Sequence, residues 1–155
     1  MKRDHCILMV EDSPDDALLI ERAMRRAGVQ CPLHIVADGD VAVRYIEGVE
    51  PYADRYAYPL PTLVLLDLKL PRRSGFEVLE HIRANAALAR TIVVVLTSSG
   101  QQIDVDRAYA GGANSYLVKP IKPKAMDDLA LRLNQYWLDA NCPPSRISPA
   151  ASPPP

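Results

Sequence analysis

A chain of 155 residues with 48% apolar and 24% charged residues is long enough for one domain with a real core. Its formal net charge of −1 gives no bulk attraction to nucleic acid or an anionic membrane, and no apolar run nears the roughly 20 residues that span a bilayer. In the opening MKRDHCILMVED, Glu11 and Asp12 cut the apolar run too early for a signal peptide. Cys6, Cys31 and Cys142 lack CxxC spacing, which points to a reducing cytoplasm rather than a disulfide framework.

Apolar runs and helical patterns alternate from there. CILMV (6–10) is a predicted buried strand. SPDDALLIERAMRRAG follows as a helix, with Ser13 as N-cap, Pro14 in its first turn, Asp15 and Asp16 beside it and Gly28 as its stop. LHIVA (33–37) is a second strand and GDVAVRYIEG a second helix closed by Gly48. The polar, aromatic, proline-broken stretch 49–61 reads as a loop. TLVLLD (62–67) is strand three and GFEVLEHIRAN helix three; TIVVVLT (91–97) is strand four and QQIDVDRAYAGG helix four. NSYLVK (114–119) is strand five. KAMDDLALRLNQYWLD is a last helix with Leu129, Leu133, Tyr136 and Trp137 on one stripe. Residues 142–155 hold six prolines and read as a flexible arm, leaving 1–141 as the folded domain.

Five strands interleaved with five helices imply an α/β fold, a parallel sheet covered on both faces. Ligands of such sheets bind at the carboxyl ends of the strands. There the chain places Glu11-Asp12, Asp67, Thr97-Ser98 and Lys119-Pro120. Each alone has an ordinary explanation as a cap, a turn or a solvated charge. Together they would bring three carboxylates, a hydroxyl and an amine to one edge. Clustered carboxylates repel unless a cation sits among them, and an all-oxygen set suits a hard divalent ion such as Mg²⁺.

The set Glu11-Asp12, Asp67, Thr97 and Lys119-Pro120, with Thr97 30 residues and Lys119 52 residues after Asp67, resembles the receiver domain of two-component response regulators. LLDLKLPRRSGFEVLEHIR is similar to that family's phosphorylation loop, Pro71 and Gly75 included. The resemblance spans residues 5 to about 138. It implies a flavodoxin-like (βα)5 fold with strand order 2-1-3-4-5. It further implies that Asp67 accepts a phosphoryl group from a phosphohistidine on a sensor histidine kinase. Asp12 and Asp67 would bind Mg²⁺ directly, Glu11 through water, and the Lys69 backbone carbonyl would complete the protein's ligands. Lys119 would neutralise phosphoryl oxygens, Thr97 would reach them after transfer, and Tyr116 would be an aromatic switch residue. A cis bond would precede Pro120. Catalysis would be confined to the chain's own phosphorylation and dephosphorylation.

Lys69 and Ser99, each two residues beyond a site residue, are positions whose side chains would tune the acyl-phosphate lifetime. His5, His34 and His81 read as structural or surface residues. The segment YIEGVEPYADRYAYPLPTLVLLDLKLP and the ending YWLDANCPP resemble response regulators that partner bacterial phytochromes, so the resemblance implies a light-sensing kinase as partner. No recognition-helix domain fits in the residues after the last helix, so the expected output is protein contact rather than DNA binding. A homodimer through helix four, strand five, helix five and the tail is expected from Leu131 and Leu138, which lie off the helix-five stripe. An intermediate shuttle in a phosphorelay is an alternative role. Two other classes fit less well. A haloacid-dehalogenase-like phosphatase wants an acid where Lys69 stands, and EDSPDD would repel the phosphate that a flavodoxin-like cofactor binder cradles there.

Overall fold

The computed structural model describes residues 5–145. The expectations for residues 1–4 and for most of the proline-rich arm, 146–155, lie outside them. Aliphatic runs become five strands: β1 (Ile7–Val10), β2 (Leu33–Val36), β3 (Leu63–Leu66), β4 (Ile92–Thr97) and β5 (Ser115–Val118). Between and after them come α1 (Pro14–Arg26), α2 (Gly39–Glu47), α3 (Gly75–Ala84), α4 (Gln102–Ala110) and α5 (Pro123–Leu133). All strand pairs are parallel, in the order β2-β1-β3-β4-β5. This is the doubly wound architecture expected from the alternation.

Successive side chains of a strand face opposite sides, so each strand feeds two cores. Leu8, Val10, Val64, Leu66, Val93 and Val95 pack with α2 and α3 on one face. Ile7, Met9, Leu63, Leu65, Val94 and Leu96 pack with α1 and α5 on the other. That double burial is why β1 and β3 read as unbroken aliphatic runs.

The caps follow the sequence closely. Ser13 accepts from the Asp16 N–H at 3.3 Å, Asp38 from Val41 at 2.8 Å and Ser74 from Glu77 at 3.3 Å. Gly48 closes α2 in the left-handed conformation at φ 69°.

Two expectations need correction. The last helix does not run α-helically to its end, because Asn134–Ala140 form a π-helical segment. The wider turn rotates the following residues, so Leu138 joins Leu129, Leu133 and Trp137 against the core while Tyr136 is exposed. Leu138 is therefore not surplus apolar surface, although Leu131 is exposed. The peptide before Pro120 is not cis, the described cis bond being Glu50–Pro51. Lys119 is instead held by its N–H, which donates to the Thr97 carbonyl at 2.7 Å.

The 49–61 loop has an order of its own. Tyr52 and Tyr58 pack edge-on to each other and, with His34, around the fully buried Tyr45. The Arg55 guanidinium donates to the Tyr45, Ile46 and Tyr58 carbonyls. Two of those carbonyls belong to the last turn of α2, so Arg55 ties the loop to the end of that helix.

Candidate functional site

Register brings the acids together. Val10 pairs with Leu66, so Glu11 and Asp67 emerge side by side where β1 and β3 end. Glu11, Asp12 and Asp67 each offer an oxygen within 4.8 Å of the others. The loop after Asp67 is pinned from two sides by glycines. A Cβ on Gly75 would lie 2.1 Å from the Asp67 carbonyl, and one on Gly39 would lie 2.2 Å from the Arg73 carbonyl, so neither position admits a side chain. Arg72 turns the loop at φ 68°, and Arg73 bonds Asp40 at 2.8 Å. Asp67 is thus presented on a fixed loop, its Oδ1 accepting from the Leu68 N–H at 2.7 Å and more weakly from Lys69 at 3.4 Å.

Lys119 arrives from the end of β5, and its side chain is 8% exposed. Its ammonium has three N–H donors and meets three carboxylates: Glu11 Oε2 at 2.5 Å, Asp67 Oδ2 at 2.9 Å and Asp16 Oδ2 at 3.1 Å. Burial alone would lower the pKa of this lysine. The bonds to Glu11, Asp67 and Asp16 more than offset that, and the net shift is upward, so the ammonium is charged throughout the physiological range. Burial also raises the Glu11 carboxyl above its ordinary value, against the pull of Lys119 and of the Ser13 N–H that donates to its Oε1 at 3.1 Å.

Thr97 is 1% exposed, and its hydroxyl has no hydrogen-bond partner among the described residues. A buried hydroxyl without a partner is costly, which sets Thr97 apart from the other buried polar groups of this edge. Tyr116 is half-buried against the core and donates its hydroxyl to the Ser99 carbonyl at 2.8 Å. The Ser99 hydroxyl donates to Asp104 at 2.5 Å, which ties it to the first turn of α4. Of the residues singled out in the sequence, Glu11, Asp12, Asp67 and Lys119 converge, and Lys69 flanks them through its backbone. Thr97 stands at the adjacent strand end, and Tyr116 is linked to the β4–α4 loop.

The three-carboxylate group fits a hard divalent cation by its chemistry: oxygen donors only, close enough to repel one another without one. The sequence reading missed Asp16. It sits one helical turn beyond Asp12, but an acid in the first turn of a helix is explained by the helix dipole, and only the fold shows its contact with Lys119.

A family model described as the response regulator receiver domain matches residues 7–130. The chain belongs to that family. Among relatives of this receiver domain, the probable methanogenesis regulatory protein FilR2 of Methanothrix harundinacea is 38% identical, over 89% of this chain and 86% of its own. The response regulator Rcp1 of Synechocystis is 35% identical, over 86% of this chain and 88% of its own. A solved structure of the Mn²⁺-bound form of Rcp1 superposes with a TM-score of 0.82 at 34% identity, covering 91% of this chain and 99% of that one. The phosphorylated cyanobacterial phytochrome response regulator RcpA gives 0.85 at 31% identity, with 92% and 100% covered. The receiver domain is therefore related to phytochrome response regulators, and it belongs to a signalling family rather than to a conventional enzyme family. Among the described residues no helix is long and apolar enough to cross a membrane.

Proposed function

We propose that the chain is a cytoplasmic response regulator that accepts a phosphoryl group on Asp67 in an Mg²⁺-dependent reaction and signals through protein contacts. The observation that carries this reading is the gathering of Asp67, Glu11 and Asp12 within 4.8 Å, with the Lys119 ammonium 2.9 Å from the acceptor oxygen. A carboxylate oxygen of Asp67 attacks the phosphorus of a phosphohistidine. The P–O bond forms as the P–N bond breaks, and the imidazole keeps the electron pair and takes a proton from solvent. Bound at Asp12, Asp67, the Lys69 carbonyl and, through water, Glu11, Mg²⁺ would neutralise charge on the phosphoryl oxygens. Lys119 shares that task. Thr97 then supplies its free hydroxyl to a phosphoryl oxygen, and Tyr116 follows into the space vacated, altering the face of α4, β5 and α5.

The partner is a sensor histidine kinase. A phytochrome-type kinase is the best candidate, since the RcpA structure is described as that of a phytochrome response regulator. A homodimer through α4, β5, α5 and the segment after Leu138 is supported by Ile103, Tyr109, Val118, Ile121, Leu131 and Tyr136, all exposed on those elements or on the turn and π segment that adjoin them. Light scattering should report a dimer that weakens when residues after Leu138 are removed. A monomer with and without beryllofluoride would reject it.

Acetyl phosphate with Mg²⁺ should label the wild type, and EDTA or Asp67→Asn should abolish the label. Equal labelling of Asp67→Asn would overturn the assignment.

A further inference from the structure

Lys119 satisfies all three ammonium protons on three carboxylates, and those carboxylates have unequal futures in the proposed reaction. Asp67 gives up its anionic oxygen when it forms the acyl phosphate. Glu11 belongs to the group that would hold the cation. Asp16 belongs to neither. We propose that Asp16 is the positioning residue that keeps Lys119 aimed at the acceptor once its other two partners are engaged. This rests on the reading of Asp67 as phosphoryl acceptor.

Three features of the contact support it. Asp16 projects from the first turn of α1, and its own N–H is fixed by the Ser13 cap at 3.3 Å, so the carboxylate hangs from a rigid element. It is 43% exposed, whereas the Glu11 and Asp67 side chains are 2% and 7% exposed, so Asp16 lies on the solvent side of the ammonium. The contact also joins positions 103 residues apart, linking α1 to the end of β5. Neighbouring Asp15 carries the same charge on the same helical turn but is exposed, with no described bond to Lys119. Were Asp16 only a helix-dipole charge, the two aspartates would be interchangeable.

The test uses the full chain in two arms. In the first, ¹⁵N spectra of the lysine ammonium groups are recorded at saturating Mg²⁺ without donor, so that Glu11 and Asp67 are engaged by the cation. A slowly exchanging Lys119 signal should be present in wild type and Asp15→Ala and lost in Asp16→Ala. In the second, the initial rate of acetyl phosphate labelling at saturating Mg²⁺ should fall about tenfold in Asp16→Ala, the scale of one charge-assisted hydrogen bond, and stay near wild type in Asp15→Ala. Asp16→Asn keeps an acceptor oxygen without the charge, so it is read in both arms should the alanine variant unfold, and its rate should fall severalfold. An Asp16 variant that matches Asp15→Ala in both arms overturns the proposal. If wild type itself is not labelled on Asp67, the acceptor reading fails, while the first arm still decides whether Asp16 holds Lys119.

Discussion

The two ends of the sheet solve the problem of buried polar groups in opposite ways. At the amino end, Arg55 donates to three carbonyls, the Tyr45 hydroxyl donates to the Pro59 carbonyl at 2.9 Å, and four rings stack around one another. Each partner there is committed. At the carboxyl end, three carboxylates share one ammonium, a fourth, Asp12, lies close to two of them, and the Thr97 hydroxyl has no partner among the described residues. An imbalance of that kind destabilises the protein alone and lets it respond to what binds. One end is built to hold, the other to exchange partners.

The largest effect that would break this comparison is expected from Gly75→Ala. Its Cβ would collide with the backbone of Asp67 and Leu68, so the acceptor loop must move. Denaturant titration should show a loss of about 3 kcal/mol, accompanied by impaired labelling of Asp67. Arg55→Ala, at the holding end, should cost about 2 kcal/mol by leaving three carbonyls without their charged donor. Its labelling rate should be unchanged, which separates the two ends; a slowed rate would show that they are coupled.

Thr97→Val should have the opposite sign. Replacing an unpartnered buried hydroxyl with a methyl should raise stability by about 1 kcal/mol, while the tyrosine fluorescence response to beryllofluoride is lost. A destabilised variant would mean that the hydroxyl has a partner in the resting protein. The smallest effect concerns His34, whose pKa burial lowers from 6.5. Because the folded value lies below the unfolded one, this contribution to stability is full above pH 6.5 and is lost as pH falls below it. His34→Phe should remove that part of the slope in urea titrations between pH 7 and about pH 5.

What the chain declares locally is extensive. Unbroken aliphatic runs mean strands buried on both faces, and Ser13, Pro14 and Gly48 mark helix ends because their chemistry acts on residues within one turn. Parallel strands then carry Glu11, Asp67 and Lys119 to one edge, so the candidate site could be read from which residues follow the runs. The contacts that needed the fold are those between distant residues with ordinary local roles. Asp16 reads as a dipole charge until β5 brings Lys119 to 3.1 Å. The aromatic residues of 49–61 read as loop residues until they close on Tyr45 and His34. Leu138 and Tyr136 exchange faces through a π turn that no α-helical periodicity encodes. Local chemistry decides where elements begin and end, because caps and periodicity act over a few residues. Which charges neutralise one another depends on distances that exist only after the sheet has assembled.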